Sequence, residues 1–403
     1  MSISSAMYTG LTGLSSYGEA MGVIGDNIAN LSTSGFKYSQ VNFEDLMAQI
    51  VSTGSGPGQE GRGTRISEIT PIFSQGSLET SADSVDVAIT GTGFLIVKES
   101  NSGSIYYTRD GNFSLNKDGY LVNAHGYRVQ GKEIVNGSGS GTDTDIVISQ
   151  NYSPPQPTEN VEMVLNLDAN ADGSATPPDS YSSALSIYDQ QGNSHTLNFT
   201  FTKTTTANTW DVSYDLDGGA STTLSPQLVF NANGTWLSGG DYSIDLSAYN
   251  IGTVNISTVN TSGGSTTQYA ASSVTNYASQ DGYGPGYLEG VSVNNEGIIT
   301  GTYSNGQITP LYQLTLARFN SPTKLHREGS NLYTETQDSG VALTGAPSTN
   351  GLGSITSNSL EQSNVDLGEQ FVHMIIYQRA FQANSRIITT SDSLMEETLA
   401  LKR

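Results

Sequence analysis

The chain has 403 residues, and its 38 acidic against 16 basic side chains give a formal net charge of −22. That balance excludes nucleic acid as a partner, because phosphate binding needs clustered Lys and Arg, and it disfavours an anionic membrane surface for the same reason. Cysteine is absent, so neither disulfides nor thiolate metal sites can hold the fold together.

The length allows roughly two to four domains. Charged residues make up 13% of the chain, and 45 glycines accompany a middle rich in Ser, Thr and Asn, a composition of short strands and many turns. No window reaches the ~18 consecutive apolar residues of a membrane span, which predicts no membrane insertion. The N-terminus lacks the basic region and continuous apolar core of a secretory signal. The composition nonetheless reads as extracellular, so the expectation is export without a cleaved signal.

In chain order, residues 3–31 carry apolar residues at alternating steps of four and three: Ile3, Met7, Leu14, Tyr17, Met21, Ile24, Ile28 and Leu31, interrupted by Gly10. This is the narrow seam of a helix lying against other helices. Glycines at 10, 13, 18, 22 and 25 each cost up to ~1 kcal/mol relative to Ala, and they let a neighbouring backbone approach. The spacing therefore predicts a helix that is marginal alone and forms when packed. An α-hairpin between the two chain ends inside one globular domain satisfies the same spacing. Asn30, Ser32, Thr33, Ser34 and Gly35 end the helix in a turn. Phe43, Leu46, Met47, Ile50 and Val51 suggest a short amphipathic piece, followed by a Gly-rich flexible linker over 52–63.

From Ile66 the texture is strands and turns. Strands are expected at 85–89 and 94–97, flanking Gly91-Thr92-Gly93 as a hairpin or tight loop, and at 106–109, 113–115 and 120–122. Asp110-Gly111 and Asp118-Gly119 punctuate the last three as hairpin signals, because Gly accepts φ > 0. A low-complexity joint over 137–145 and a stiff Pro154-Pro155-Pro157 connector lead to a second β region. Its strands fall at 163–167, 184–188, 196–202 and 209–215, with a turn over 190–193. From about 281 to 358 the texture of the first β block returns, with strands at 291–293, 298–303 and 308–318. The second β-domain is then inserted into the first.

The final stretch has apolar residues at strict sevens, Leu360, Leu367, Met374, Phe381, Ile388 and Met395, with Phe371, Ile375, Ile387, Leu394, Leu399 and Leu401 filling in. This is a second coiled-coil-like seam. Asp366 can cap it, and about thirty-five helical residues span roughly 50 Å. The fold class is multidomain and mainly β, with long α-helical termini and two nested β-domains. The expected division is a terminal helical core with linker (1–65 and 359–403), an inner β-domain (66–150 and 281–358) and an outer inserted β-domain (151–280).

No constellation carries catalysis, and no cofactor is implied. His125, His195, His326 and His373 stand in no metal-binding spacing, and neither G-x-S-x-G nor a P-loop occurs. One metal signal exists: Asp168, Asn170 and Asp172, followed by Gly173, match the first half of an EF-hand loop, with Asp179 at the twelfth position. The preceding strand and Pro177-Pro178 favour an Asx-rich turn instead.

Four stretches resemble the flagellar axial proteins of bacteria, the family that supplies rod and hook. The first is Asn27-Ile28-Ala29-Asn30 with Thr33-Ser34-Gly35-Phe36-Lys37. The second is Gly91-Thr92-Gly93-Phe94-Leu95 leading to Tyr107-Thr108-Arg109-Asp110-Gly111-Asn112-Phe113. The third runs from Gly119-Tyr120-Leu121-Val122-Asn123 to Gly126-Tyr127. The fourth begins Leu360-Glu361-Gln362-Ser363-Asn364-Val365-Asp366-Leu367, continues through Met374, Gln378-Arg379 and Phe381-Gln382-Ala383-Asn384, and ends Leu401-Lys402-Arg403. Residues 150–280 match only in layout. The resemblance implies a tubular homopolymer with terminal helices around a central channel and β-domains radiating outward. It also implies export of unfolded subunits by the flagellar type III apparatus, and rod, hook-cap and hook–filament junction proteins as partners. The ~120-residue insertion favours a hook subunit, a curved universal joint carrying torque from rod to filament, over a distal-rod subunit. A surface adhesin shares the texture but needs no paired terminal seams. The residues expected to pack in the polymer are Leu14, Tyr17, Met21, Ile24 and Ile28 on one helix, and Val365, Leu367, Phe371, Met374, Phe381 and Ile388 on the other.

Overall fold

The computed structural model describes residues 3–53, 56–135, 138–139, 141–148, 152–259 and 264–400. Two helices bracket a chain of strands: α1 covers Ile3–Ala29 and α2 covers Leu367–Ala400. The chain divides into two compact units, one made of residues 1–149, 291–301 and 309–403, the other of 150–290 and 302–308. Both helices belong to the first.

In that first unit α1 ends where the Asn30 and Thr33 amides turn back onto the Asp26 and Asn30 carbonyls, and Gly35 adopts φ +69°. The amphipathic piece expected around Phe43 begins as an extended strand whose burial alternates. Ser39–Asp45 pairs antiparallel with Thr64–Pro71, and Gln49–Thr53 pairs with Gly56–Glu60 inside that loop. The described residues of the segment read as a linker, 52–53 and 56–63, thus belong to the far end of a long hairpin. The reason is that strand Thr64–Pro71 lies beside α1, where the Ser16 hydroxyl donates to the Thr64 carbonyl at 3.2 Å. The hairpin gains a surface to pack on, which local composition does not reveal.

The β body of this unit is a twisted antiparallel sheet whose neighbours include Arg128–Val135, Phe94–Lys98, Ile105–Thr108, Leu332–Thr334 and His326–Gly329, in that order. Phe94, Phe319, Tyr107 and Tyr333 pack edge-to-face with Phe73 over it, ring centroids 4.8 to 5.9 Å apart. Of the hairpin or tight loop expected across Gly91-Thr92-Gly93, the tight loop is found: it joins Val87–Thr90 to Phe94–Lys98, which do not pair with each other. The former pairs with Ser354–Ser357 and the latter with Ile105–Thr108. Of the two Asp-Gly signals, Asp118-Gly119 joins a real hairpin, with Leu121 opposite Leu115. Asp110-Gly111 does not: Ile105–Thr108 and Phe113–Leu115 pair with other strands. Gly111 is required there for close approach, since a Cβ would lie 1.7 Å from the Val87 carbonyl oxygen.

The second unit is a sandwich. One sheet runs Asp241–Asp245, Thr253–Ser257, Asn160–Asn166, Val274–Gln280, with the middle two strands parallel. The other runs Ser180–Tyr188, Ser194–Lys203, Thr209–Leu216, Leu228–Phe230, Trp236–Ser238. Alternation puts Leu197, Phe199 and Phe201 on the inner face, where they meet Met163, Leu165, Val254 and Ile256 of the facing sheet. The turn over 190–193 joins the longest hairpin, from Ser180 opposite Thr202 to Tyr188 opposite Ser194.

Candidate assembly interface

Apolar residues at helical spacing on α1 and α2 pair the two helices antiparallel. The contacts run from Gly10 beside Ile388, through Gly18 beside Phe381, to Asn27 beside Gln370. Asp366 caps α2, its Oδ1 accepting the Gly368 and Glu369 amides at 2.8 and 3.1 Å. The helix therefore starts after Leu360, which the heptad row includes but which lies in a strand opposite Glu79. The 34 residues of α2 span about 50 Å.

The buried line of α1 is small and partly polar: Gly10, Gly13, Ser16, Ala20, Ile24 and Asn27. Sequence reasoning on large apolar residues missed most of it. A Cβ on Gly13 would lie 2.7 Å from the Asn384 amide, and one on Gly10 would lie 3.1 Å from Ile388, so the glycines set how near α2 comes. Leu14, Tyr17, Met21 and Ile28 are half-buried, and Ile24 is buried. Tyr17 joins Tyr377 and Phe43 in an aromatic cluster with centroids 5.2 to 5.8 Å apart. Burial there, followed by the neighbouring Tyr17, pushes the Tyr377 phenol up. On α2, Met374, Phe381 and Ile388 face α1 and are half-buried, and Val365 just before the helix is buried. Leu367 and Phe371, placed on the same seam by the sequence, are exposed in the single chain.

That divergence leaves a long apolar flank uncovered on α2. Phe371 is 47% exposed, Ile375 49%, Ile376 51% and Leu394 48%. Tyr8 and Leu11 of α1 are also exposed. The pairing within one chain covers one face of each helix and leaves a second. Among the described residues no helix is long and apolar enough to cross a membrane.

At the root of the helices the side chains are polar and buried. Asn27, fully buried, donates from Nδ2 to the Ser39 carbonyl and to Gln370 Oε1, and its Oδ1 accepts the Ser39 amide at 2.9 Å. Asn30, half-buried, donates to the Asp26 carbonyl and accepts the Thr33 hydroxyl, closing the turn. Phe36 is buried under Arg327, whose guanidinium carbon lies 5.1 Å from the ring centroid. Gly35 donates its amide to the Glu361 carbonyl at 2.7 Å. Lys37 donates from Nζ to Glu361 Oε1 at 2.6 Å, with both side chains fully buried, and Arg109 Nη1 reaches Glu361 Oε2 at 3.3 Å. Burial pulls the Lys37 ammonium and the Arg109 guanidinium down, against the opposing pull of Glu361. These three residues stand in three of the motif stretches, but nothing local to any stretch marks them as partners.

The calcium half-motif is occupied by its own backbone. Asp168 Oδ1 accepts the Asn170 amide, Asp172 Oδ1 accepts the Ser174 amide, and Asp179 Oδ2 accepts the Asp172 amide, each at 2.8 Å. Gly173 allows the turn to lie against the Thr204 carbonyl, 2.1 Å from where a Cβ would stand. Among the described residues no group of three or more His, Asp or Glu is placed to hold a metal ion. Leu401-Lys402-Arg403 lies outside the described residues.

Two paired terminal helices that keep exposed apolar side chains thus bracket a mainly β chain. Family models match in four places: a flagella basal body rod protein model at 7–37, the flagellar hook protein FlgE/F/G D1 domain at 88–173, the flagellar basal body protein FlaE D2 domain at 164–283, and the flagellar basal body rod FlgEFG protein C-terminal model at 356–401. The chain is 34% identical to the flagellar hook protein FlgE of Borreliella burgdorferi over 98% of this chain and 99% of that protein. It is 32% identical to that of Treponema pallidum (99% of each) and 34% identical to that of Salmonella typhimurium (97% and 98%). The crystal structure of Helicobacter pylori flagellar hook protein FlgE2 aligns at TM-score 0.49 and 16% identity, over 70% of this chain and all of that one. The chain belongs to the flagellar hook protein family.

Proposed function

We propose that the chain builds the flagellar hook as a curved, flexible tube that carries torque from rod to filament, and that it does no catalysis. The observation that carries this reading is the uncovered apolar flank of α2 around Phe371, Ile375 and Ile376, together with kinship to hook subunits along the whole chain. Copies that cover each other's flank through a heterologous contact that does not close generate an open helix. In that polymer the helices line a central channel. The chain falls into a helical core (1–65 and 359–403), an inner β-domain (66–150 and 281–358) and an outer one (151–280). Leu14, Met21 and Ile28, with Leu367, Phe371 and Met374, take part in helix packing between copies. Subunits leave through the flagellar type III apparatus, reside outside the cell, and meet rod, hook-cap and junction proteins at the two ends of the tube.

The polar Ser/Thr/Asn exterior of the sandwich suits contacts that must be remade each turn. Purified flagella labelled with antibody against residues 160–280 should show label along the curved segment between rod and filament. Label confined to a straight segment within the envelope would place the subunit in the rod instead.

A further inference from the structure

We infer that Glu361 locks the two ends of the chain to the β body as a single cooperative unit, so that neither end seats without the other. This concerns the single chain and goes beyond polymerisation.

The Glu361 carboxylate sits where three distant segments meet. Glu361 is the last residue of the short strand Ser359–Glu361, which pairs with Leu78–Thr80 and leads towards α2. Lys37 comes from the segment leaving α1, and Arg109 follows strand Ile105–Thr108 of the β body. Glu361 Oε1 accepts Lys37 Nζ at 2.6 Å and the Gly76 amide at 2.9 Å, while Oε2 accepts Arg109 Nη1 at 3.3 Å. Lys37 Nζ also donates to the Ser74 carbonyl at 2.7 Å, and Arg109 Nη2 to the Gly91 carbonyl at 2.8 Å. Arg109 Nε has no hydrogen-bond partner among the described residues. The guanidinium lies 5.4 Å from the Phe94 ring centroid, and among the described residues Glu361 alone supplies a carboxylate to these two cations.

Two cations are thus buried against one carboxylate. Removing an ion from water costs several kcal/mol even after relaxation. Lys37 and Arg109 cannot both enter the interior unless Glu361 is already there, and Glu361 cannot enter without a cation. The backbone joins the same knot. Gly35 donates to the Glu361 carbonyl, and a Cβ on Gly35 would lie 2.6 Å from the Asp110 amide nitrogen. A Cβ on Gly76 would lie 2.0 Å from the Gln362 carbonyl oxygen. The segment after α1 and the segment before α2 therefore rest on each other as well as on the β body. A chain with one end displaced holds an uncompensated charge at the other and releases it.

Hydrogen exchange on the full soluble chain tests this with Glu361→Gln, Lys37→Met and the double variant. Glu361→Gln leaves two buried cations without a carboxylate. It should speed exchange by roughly 100- to 1,000-fold at both 33–38 and 359–365, while strand Phe94–Lys98 stays within a few-fold of the native protein. Lys37→Met keeps the Arg109–Glu361 pair balanced and should change both segments only a few-fold. The double variant should recover at least about tenfold of the protection lost in Glu361→Gln. Faster exchange at 359–365 alone would overturn the lock, as would equal acceleration at Phe94–Lys98. If Glu361→Gln does not fold, a double variant that folds supports the inference and one that fares no better refutes it.

Discussion

Phe371 is 47% exposed on α2 in the single chain, and polymerisation through that flank has to bury it. A Phe side chain offers about 200 Å², so close to half of that, roughly 95 Å², remains to be covered. At ~25 cal/mol per Å² this contributes about 2.4 kcal/mol per subunit. Phe371→Ala keeps a little of that area and should lose about 2 kcal/mol, raising the critical concentration for polymerisation about 30-fold. Phe371→Asp adds the cost of desolvating a carboxylate and should abolish polymer in the accessible concentration range. Neither change should alter the melting of the soluble chain by more than about 0.5 kcal/mol, because this side chain is exposed in the single chain. The assay is sedimentation of polymer against total protein, with helical circular dichroism of the soluble fraction as the folding control. A Phe371→Ala critical concentration within twofold of the native one would refute the reasoning, as would normal tubes from Phe371→Asp. Met374 is a poorer choice, since it is half-buried against α1 and its replacement disturbs both contacts.

Two further expectations concern the soluble chain. Gly13→Ala puts a Cβ 2.7 Å from Asn384, whereas nothing lies within 4 Å of a Cβ on Gly22. Gly22→Ala should stabilise α1 by up to ~1 kcal/mol, and Gly13→Ala should lose about 1–3 kcal/mol from crowding. Thermal melts of the helical signal decide it, and equal stabilisation by both would show that Gly13 does not set the approach. Burial pushes the Asp145 carboxyl up, but hydrogen bonds from Arg128 and Gln130 outweigh it and hold it below the usual 3.8. Its contribution is therefore fully present above pH 3.8 and lost as pH falls through the lower folded value. Asp145→Asn should cost on the order of 1 kcal/mol at pH 7, with the gap to the native protein closing in strong acid. Urea titrations across pH 2–7 (an assay range of about five units) would expose a pH-independent gap, which would contradict that linkage.

The sequence by itself determined what depends on neighbours a few residues apart. Heptad spacing marked both helices. Asp366 marked the start of α2, because a cap acts on amides two and three residues on. Asp118-Gly119 marked its hairpin. Alternation marked the sandwich strands, since a strand with one buried face repeats every second residue. Tertiary structure decided the rest. Asp110-Gly111 carries the same local signal as Asp118-Gly119, yet its glycine serves a contact with Val87 that only the packed sheet creates. Ser39–Asp45 and its hairpin became strands because α1 offered them a surface. Phe371 and Met374 belong to one apolar pattern, and only the angle at which α2 meets α1 separates the covered residue from the exposed one. Lys37, Arg109 and Glu361 lie 252 and 324 residues apart along the chain. Their charges become partners only when folding removes water from between them, because in solvent such charges are screened and indifferent to one another.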